Sequence, residues 1–334
     1  MSDRPTLSIV IAASDSLEAV ERTLASLRLD RDSLQVELVV AASAQRIPKP
    51  GSISDAKWVS AEPGTGVPRL RRLGLEMAAA PLVAFTEDSC VLDPGWADAW
   101  LQAFRDPSIM AATGPIVADF KINGTGDTVG ESPDPQVNKS AEPPRWQPAS
   151  WAVFFCEYAP FLSVQSSVAR RLAGNNFAVR VRPGLFDLPE IHESEVTFAL
   201  ASRSGSMVNV ASARAHHVRR YGFEEALGDR FRFGLEFGQL RAHRHSALLQ
   251  RLAVFAAPAI FAVQLARLVS TVLASGHYVG PFLASLPIIV LLLGSWSLGE
   301  SLGWAMAPRD SASDDKQRET RVPPAWPPSD QASS

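Results

Sequence analysis

Pro81 to Trp96 reads PLVAFTEDSCVLDPGW, and the fold turns on how this stretch is read. Leu82-Val83-Ala84-Phe85 is apolar, too short for a helix and compatible with a strand. Glu87 and Asp88 follow abruptly, with Ser89 and Cys90 behind them. Asp93-Pro94-Gly95 breaks the pattern, and a new segment opens at Trp96. The pattern is a buried strand that runs into a carboxylate-bearing loop and then a helix. In an open α/β sheet, ligands bind outside the carboxyl ends of the strands. Acids at such an end supply hard oxygens of the kind a divalent cation takes. The same acids also fit a solvated loop, with Asp93 capping the next helix.

Upstream, strand and helix patterns alternate. Leu7 to Ala12, LSIVIA, is a continuous apolar run and reads as a buried strand. Ser14-Asp15-Ser16 turns the chain, and Leu17, Val20, Leu24 and Leu27 then recur at helical spacing. VELVVA, from Val36 to Ala41, is a second strand, and Trp58-Val59 reads as a short third. Gly64-Thr65-Gly66 is a turn before a helix from Arg69 to Ala79 that carries Arg69, Arg71 and Arg72. This alternation predicts an α/β fold with a doubly wound, mainly parallel sheet.

Downstream, Ile109 to Phe120 reads as a strand interrupted at Gly114-Pro115. Lys121 to Ser150 is rich in Gly, Pro and charge and reads as a long mobile loop. Gly174-Asn175-Asn176 turns into a strand, a helix opens near Glu193, and a late strand ends in His216-His217. Phe223 to Arg251 mixes Arg and His with Phe and Leu and fits an interfacial amphipathic segment on a membrane.

The chain of 334 residues carries a formal net charge of -3, so no global basic field points to nucleic acid. Cys90 and Cys156 are its only cysteines and form no metal-type spacing, which suits a reducing compartment. The start, MSDRPTLSIVIAAS, lacks the pattern of a signal peptide. Leu252 to Ala274 and Pro281 to Leu298 are each about as long as a bilayer requires. Ser275 to Gly280 between them holds no charge, whereas Arg241, Arg244 and Arg251 precede the pair and Arg309, Lys316, Arg318 and Arg321 follow it. The positive-inside rule then predicts a transmembrane hairpin over 252–308 with both ends in the cytoplasm. Arg267 and Glu300 are expected to snorkel or to sit at an interface. The tail over 309–334 reads as disordered.

Taken in order, SIVI, VELVVA, Gly-Thr-Gly before an arginine helix, AFTEDSCVLDPGW, GNNFAVR, GLFD, an acidic helix start and His216-His217 resemble glycosyltransferase family 2. The similarity runs from about Thr6 to Arg220 and is to the GT-A fold, in bacterial members with a C-terminal membrane hairpin. It implies a catalytic domain over 1–222 and inverting transfer of a sugar from a UDP- or GDP-linked donor. The expected acceptor is a lipid or glycan that is lipid-linked or membrane-near, and the expected location is a bacterial inner membrane, with a cytoplasmic catalytic domain.

The resemblance also implies a divalent metal, Mn or Mg, held by Glu87 and Asp88 with His216 as a late ligand and His217 in reserve. Donor contacts fall to Arg71 and Asp15 beside those two acids. The family's general base is the aspartate of a Glu-Asp pair, and here that position is Ser194, which cannot serve. Glu193 is the first substitute and Glu195 the second. Ala41 and Ser89 also stand where the family carries acids. These departures motivate an alternative, a catalytically degenerate membrane scaffold or binding subunit. A nucleotidyltransferase would want a Gly-rich phosphate loop after the first strand, which IAASDS is not. A processive synthase would want a larger membrane bundle and a Gln-x-x-Arg-Trp sequence.

Overall fold

The computed structural model describes residues 5–27, 35–47, 56–120, 147–162, 167–182, 189–202, 206–242 and 255–306. The predicted loop over 121–146, the segment 243–254 and the predicted disordered tail lie outside these. The chain divides into two compact units, Met1–Gly222 with Ser270–Leu286, and Phe223–Val269 with Pro287–Ser334.

The first unit is the expected α/β domain, a doubly wound, mainly parallel mixed sheet. Its strands are β1 (Leu7–Ala13), β2 (Val36–Ser43), β3 (Lys57–Ala61), β4 (Leu82–Glu87), β6 (Ile109–Thr113), β8 (Asn176–Arg180) and β9 (Ser206–Asn209). They stand in the order β3-β2-β1-β4-β8-β6-β9. β8 alone runs antiparallel to its neighbours, β4 and β6. Two crossover helices, α1 (Leu17–Ser26) and α2 (Val67–Met77), return the chain between parallel strands. The register sets Ala12 of β1 opposite both Ala41 of β2 and Glu87 of β4, so three carboxyl ends finish level. Ser16 caps α1 by accepting from the Ala19 amide. Val10, Val83, Phe85 and Phe177 fill one face of the sheet, and Phe85 stacks on Phe177 at 4.7 Å.

A second sheet, β5-β10-β7, stands just beyond the end of β4. It comprises β5 (Cys90–Leu92), β7 (Ile116–Ala118) and β10 (Ala215–His217). The expected break at Gly114-Pro115 is where the chain leaves one sheet for the other. A Cβ at Gly114 would lie 1.8 Å from the Ala213 carbonyl oxygen, so only glycine fits. Asn176 braces this junction. Its Oδ1 accepts from Trp96 Nε1, and its Nδ2 donates to the carbonyls of Pro115 and Ala213.

Two local expectations are corrected. Helix α3 (Trp96–Ala103) is entered through Gly95 at φ 82°, not capped by Asp93, whose carboxylate is held by His216 and Arg214. Helix α4 (Pro148–Tyr158) begins within the stretch read as loop up to Ser150; it starts on a proline and buries Ala149 and Ser150 at once. The predicted acidic helix is α5 (Glu193–Ser202).

In the second unit, α6 (Phe223–Ala242) packs on the distal half of α8 (Val279–Met306). The contact is glycine on glycine. Cβ atoms at Gly234 and Gly238 would lie 2.3 and 2.2 Å from the carbonyl oxygens of Trp296 and Glu300. Those at Gly299 and Gly303 would lie 2.2 Å from the carbonyls of Phe231 and Leu235. Two small-xxx-small motifs thus bring the backbones together. Glu300, expected at an interface, is buried there; it accepts from Arg241 at 2.7 Å and from Trp296 Nε1 at 3.1 Å. Gly238→Ala is expected to cost about 1–3 kcal/mol through overpacking, read as a drop in the unfolding midpoint in detergent.

Helices α7 (Ala257–Ser275) and α8 are long and apolar enough to cross a membrane. The turn between them is not free, however. Within the first unit, Tyr278 packs on Trp151 at 5.2 Å and on Phe154 at 6.1 Å, and Phe282 packs on Phe155 at 5.2 Å. The sequence pattern counted length and charge but held no sign of what the turn's aromatic residues pack against.

Candidate functional site

Glu87 ends β4, at the carboxyl edge of the sheet. Arg71 of α2 meets it there, Nη2 to Oε1 at 2.8 Å. Leu70 and Gly74 press α2 onto the sheet; a Cβ at Gly74 would stand 2.3 Å from Val10 Cγ1. That close approach lets Arg71, itself 3% exposed, run under the sheet edge across the Phe177 ring. Its Nη1 also donates to the Ile191 carbonyl and to Glu193 Oε2, each at 3.2 Å. One guanidinium therefore draws together a carboxylate from β4 and a carboxylate from the start of α5. Gly174 makes room for the bridge, since a Cβ there would lie 2.9 Å from Arg71 Nη2 and 3.3 Å from Glu193 Oε2.

Asp88 points elsewhere. It is fully buried, and its Oδ2 accepts from the Asp15 backbone amide at 2.7 Å, which is Asp15's link to the site. Its Oδ1 is buried with no hydrogen-bond partner. Burial raises its carboxyl to about 6, against the pull of the Asp15 and Ser14 amides and with the push of the Glu87 and Asp15 charges. Ser89 returns to the Glu87 side and donates to Oε2 at 3.4 Å. Glu195 lies two residues beyond Glu193 on α5, so the helix turns it to another side.

His216 is not brought to Glu87 and Asp88. Its Nε2 bonds Asp93 at 2.7 Å and its Nδ1 lies 3.8 Å from Asp119. His217 alternates to the opposite side of β10 and is buried among Phe120, Phe154, Tyr158 and Tyr221. Neither of its ring nitrogens has a partner. Burial, with a smaller push from Arg219, lowers its imidazolium to about 3.

Asn175 has no assigned role in the sequence reading. It is fully buried next to Gly174, and both its Oδ1 and its Nδ2 lack partners. Buried amides are ordinarily satisfied, so this one marks a place where a ligand would complete it. The signal in the sequence was the doubled asparagine of GNNF, of which Asn176 is spent on the sheet junction. A cavity of about 270 Å³ also opens at the ends of β2 and β3, lined in part by Ala61, Glu62, Thr65 and Arg69.

Among the described residues no group of three or more His, Cys, Asp or Glu side chains could hold a metal ion. A magnesium-like ion needs only one or two protein carboxylates when substrate phosphates and water complete its shell. Glu87 fits that smaller role, since Oε2 is held only by the 3.4 Å bond from Ser89. Asp88 keeps one unpartnered oxygen, Oδ1, while its Oδ2 is taken by the Asp15 amide, and His216 is turned to Asp93.

No protein-family model matches the chain, and no curated protein matches it. Two solved structures are similar in part. One, GalNAc-T7 with UDP, GalNAc and Mn2+, is 18% identical over 66% of this chain, with a TM-score of 0.42. This chain covers 45% of that protein, less than half its length. The other is the mannosyltransferase PcManGT from Pyrobaculum calidifontis in complex with GDP-Man and Mn2+. It is 14% identical over 88% of this chain and 87% of its own, with a TM-score of 0.47.

Proposed function

We propose that the chain is an inverting glycosyltransferase. It moves one sugar from a UDP- or GDP-linked donor to a lipid-linked or membrane-near acceptor, at the cytoplasmic face of a bacterial inner membrane. The observation that carries this reading is the Glu87–Arg71–Glu193 bridge at the carboxyl ends of a mainly parallel sheet, where such folds bind ligands.

In the reaction, the acceptor oxygen bonds to the sugar's anomeric carbon as the bond from that carbon to the diphosphate breaks. Glu193, whose side chain is 37% exposed, takes the acceptor's hydroxyl proton. Arg71 holds Glu193 and Glu87 at a constant separation, so the base and the leaving-group side of the site keep one geometry. Asn175 supplies amide hydrogen bonds to the donor. A divalent ion on Glu87, when bound, would neutralise charge on the departing nucleoside diphosphate.

The test is calorimetric titration of the detergent-solubilised chain with UDP and GDP, with and without Mn²⁺, beside Glu87→Ala. We expect metal-dependent binding of one nucleotide that weakens at least about tenfold in the variant, the loss of about 1.4 kcal/mol. The degenerate-scaffold reading draws on Ser194, an exposed hydroxyl at the base position. Binding of neither nucleotide would favour it.

A further inference from the structure

We infer that Asp88 is a positioning residue: its buried carboxylate pins the loop after β1, and so fixes one wall of the nucleotide crevice, while the metal is left to Glu87. The inference rests on the reading that this chain binds a nucleotide.

The place of the crevice follows from the strand order. β1, β2 and β3 lie side by side in chain order, and the chain then returns to the other side of β1 as β4. Such a reversal is a topological switch point, and open α/β sheets bind ligands outside the carboxyl ends of the strands there. The two walls are the segment after β1, Ser14-Asp15-Ser16, and the segment after β4, Asp88-Ser89. The strand ladder ends at the pair Ala12 and Glu87, and beyond that pair Asp88 ties the walls together. Its amide donates to the Ala12 carbonyl at 3.4 Å, and the Asp15 amide donates back to its Oδ2 at 2.7 Å. The second distance is that of a charge-assisted bond. The Ser14 amide adds to the hold on the same carboxylate.

Asp88 itself stands on a fixed base. The Thr23 hydroxyl of α1 donates to the Cys90 carbonyl at 2.7 Å, and the Leu92 amide donates to the Ser26 hydroxyl at 3.1 Å. The loop it holds is short. Between Ala13, where β1 ends, and Ser16, which caps α1, only Ser14 and Asp15 remain, and both give their amides to Asp88. The carboxylate therefore sets the course of the whole connection.

One atom separates this role from metal ligation. Asp88 Oδ2 is spent on the loop, and Oδ1 is buried with no partner. A metal ligand would give Oδ1 to the ion, whereas a clamp needs only Oδ2. Asparagine keeps an acceptor oxygen for the Asp15 amide and sets an NH₂ group, which binds no cation, in the place of Oδ1.

The experiment is calorimetric titration of the detergent-solubilised full-length chain with UDP and with GDP, in Mn²⁺ and in EDTA. The natural chain is set beside Asp88→Ala and Asp88→Asn. Hydrogen exchange of the Ser14 and Asp15 amides is read by mass spectrometry without nucleotide. Asp88→Ala is expected to weaken binding about tenfold, by the same factor with and without metal, and Asp88→Asn to recover it to within about threefold. The two amides should exchange at least about tenfold faster in Asp88→Ala and at the natural rate in Asp88→Asn. A loss confined to Mn²⁺ and not rescued by Asp88→Asn makes Asp88 a metal ligand and overturns the inference. So does a lowered unfolding midpoint in Asp88→Ala with nucleotide affinity unchanged, which is a structural role alone. If Asp88→Ala does not fold, Asp88→Asn decides: natural affinity in Mn²⁺ supports the clamp, and a tenfold loss there sinks it. Absence of nucleotide binding by the natural chain is the failure of the donor reading. Amide protection that does not depend on residue 88 is the failure of this one, and it is read without any nucleotide.

Discussion

Arg71→Ala is expected to lower the stability of the chain by about 3 kcal/mol and to abolish nucleotide binding. The guanidinium is nearly inaccessible and serves two carboxylates, at 2.8 Å to Glu87 and 3.2 Å to Glu193. Removing one partner of a buried pair leaves uncompensated charge and costs about 3–5 kcal/mol. Here the low end applies, because Glu193 is partly exposed and water screens it. The lost side chain also packs against Phe177 and fills the space that Gly174 leaves open. The check is denaturant unfolding of single and double variants. In the Arg71→Ala background, Glu87→Ala should recover part of the loss, since it removes the stranded charge. A double variant as unstable as the sum of the two singles would show that the bridge is not the cause. Arg71→Lys should restore less than half of the binding, because a single ammonium cannot serve two carboxylates from fixed directions as the planar fork does.

His217→Phe is expected to leave stability near neutral pH little changed and to remove acid sensitivity. In the folded chain the ring is neutral, with its imidazolium pushed down to about 3 by burial. The unfolded chain takes up a proton near the ordinary value of about 6.5. Between those limits the unfolded state binds more protons, so stability falls as pH drops through that window. At pH 5 the gap of about 1.5 units corresponds to about 2 kcal/mol. Asp88 acts in the opposite sense: its carboxyl is raised to about 6, so its cost grows as pH rises from about 4 to 6. The two partly offset in the natural chain, and the variant exposes the Asp88 slope alone. Unfolding midpoints at pH 5 and pH 7 check this. A variant that loses as much between them as the natural chain shows that His217 does not carry the effect. Phenylalanine suits the site, because the ring's neighbours are aromatic and neither nitrogen is bonded.

Much of the site was legible in the sequence because it lies at strand ends. Period-two and period-3.6 patterns locate those ends, and the type of residue found there carries the chemistry. Glu87 was singled out in this way, whereas Arg71 and Glu193 were singled out only by the resemblance to glycosyltransferase family 2. What failed was side-chain direction. His217 follows His216 within β10, where strand alternation sends the two to opposite sides, and Asp88 sits in the turn just past β4, where its Oδ2 is taken by the Asp15 amide. No composition or spacing says which member faces a ligand. Asn175 escaped for a related reason: one asparagine of GNNF braces the sheet junction and the other is left unpartnered, and only the packing tells them apart.

By itself the sequence determined the alternation of strands and helices, the acid-bearing end of β4, the break at Gly114 and the two apolar helices near the C-terminus. These follow from local propensity and from hydrophobic periodicity, which need no partner to be read. The tertiary structure alone decided that Arg71 would bridge Glu87 and Glu193, that His216 would go to Asp93, and that four glycines would seat α6 on α8. It also decided that Tyr278 would pack on Trp151 and Phe154 of α4. Each of these is a contact between segments distant in sequence, set by shape and by the need of buried charge for a partner, and neither is written in any one stretch of the chain.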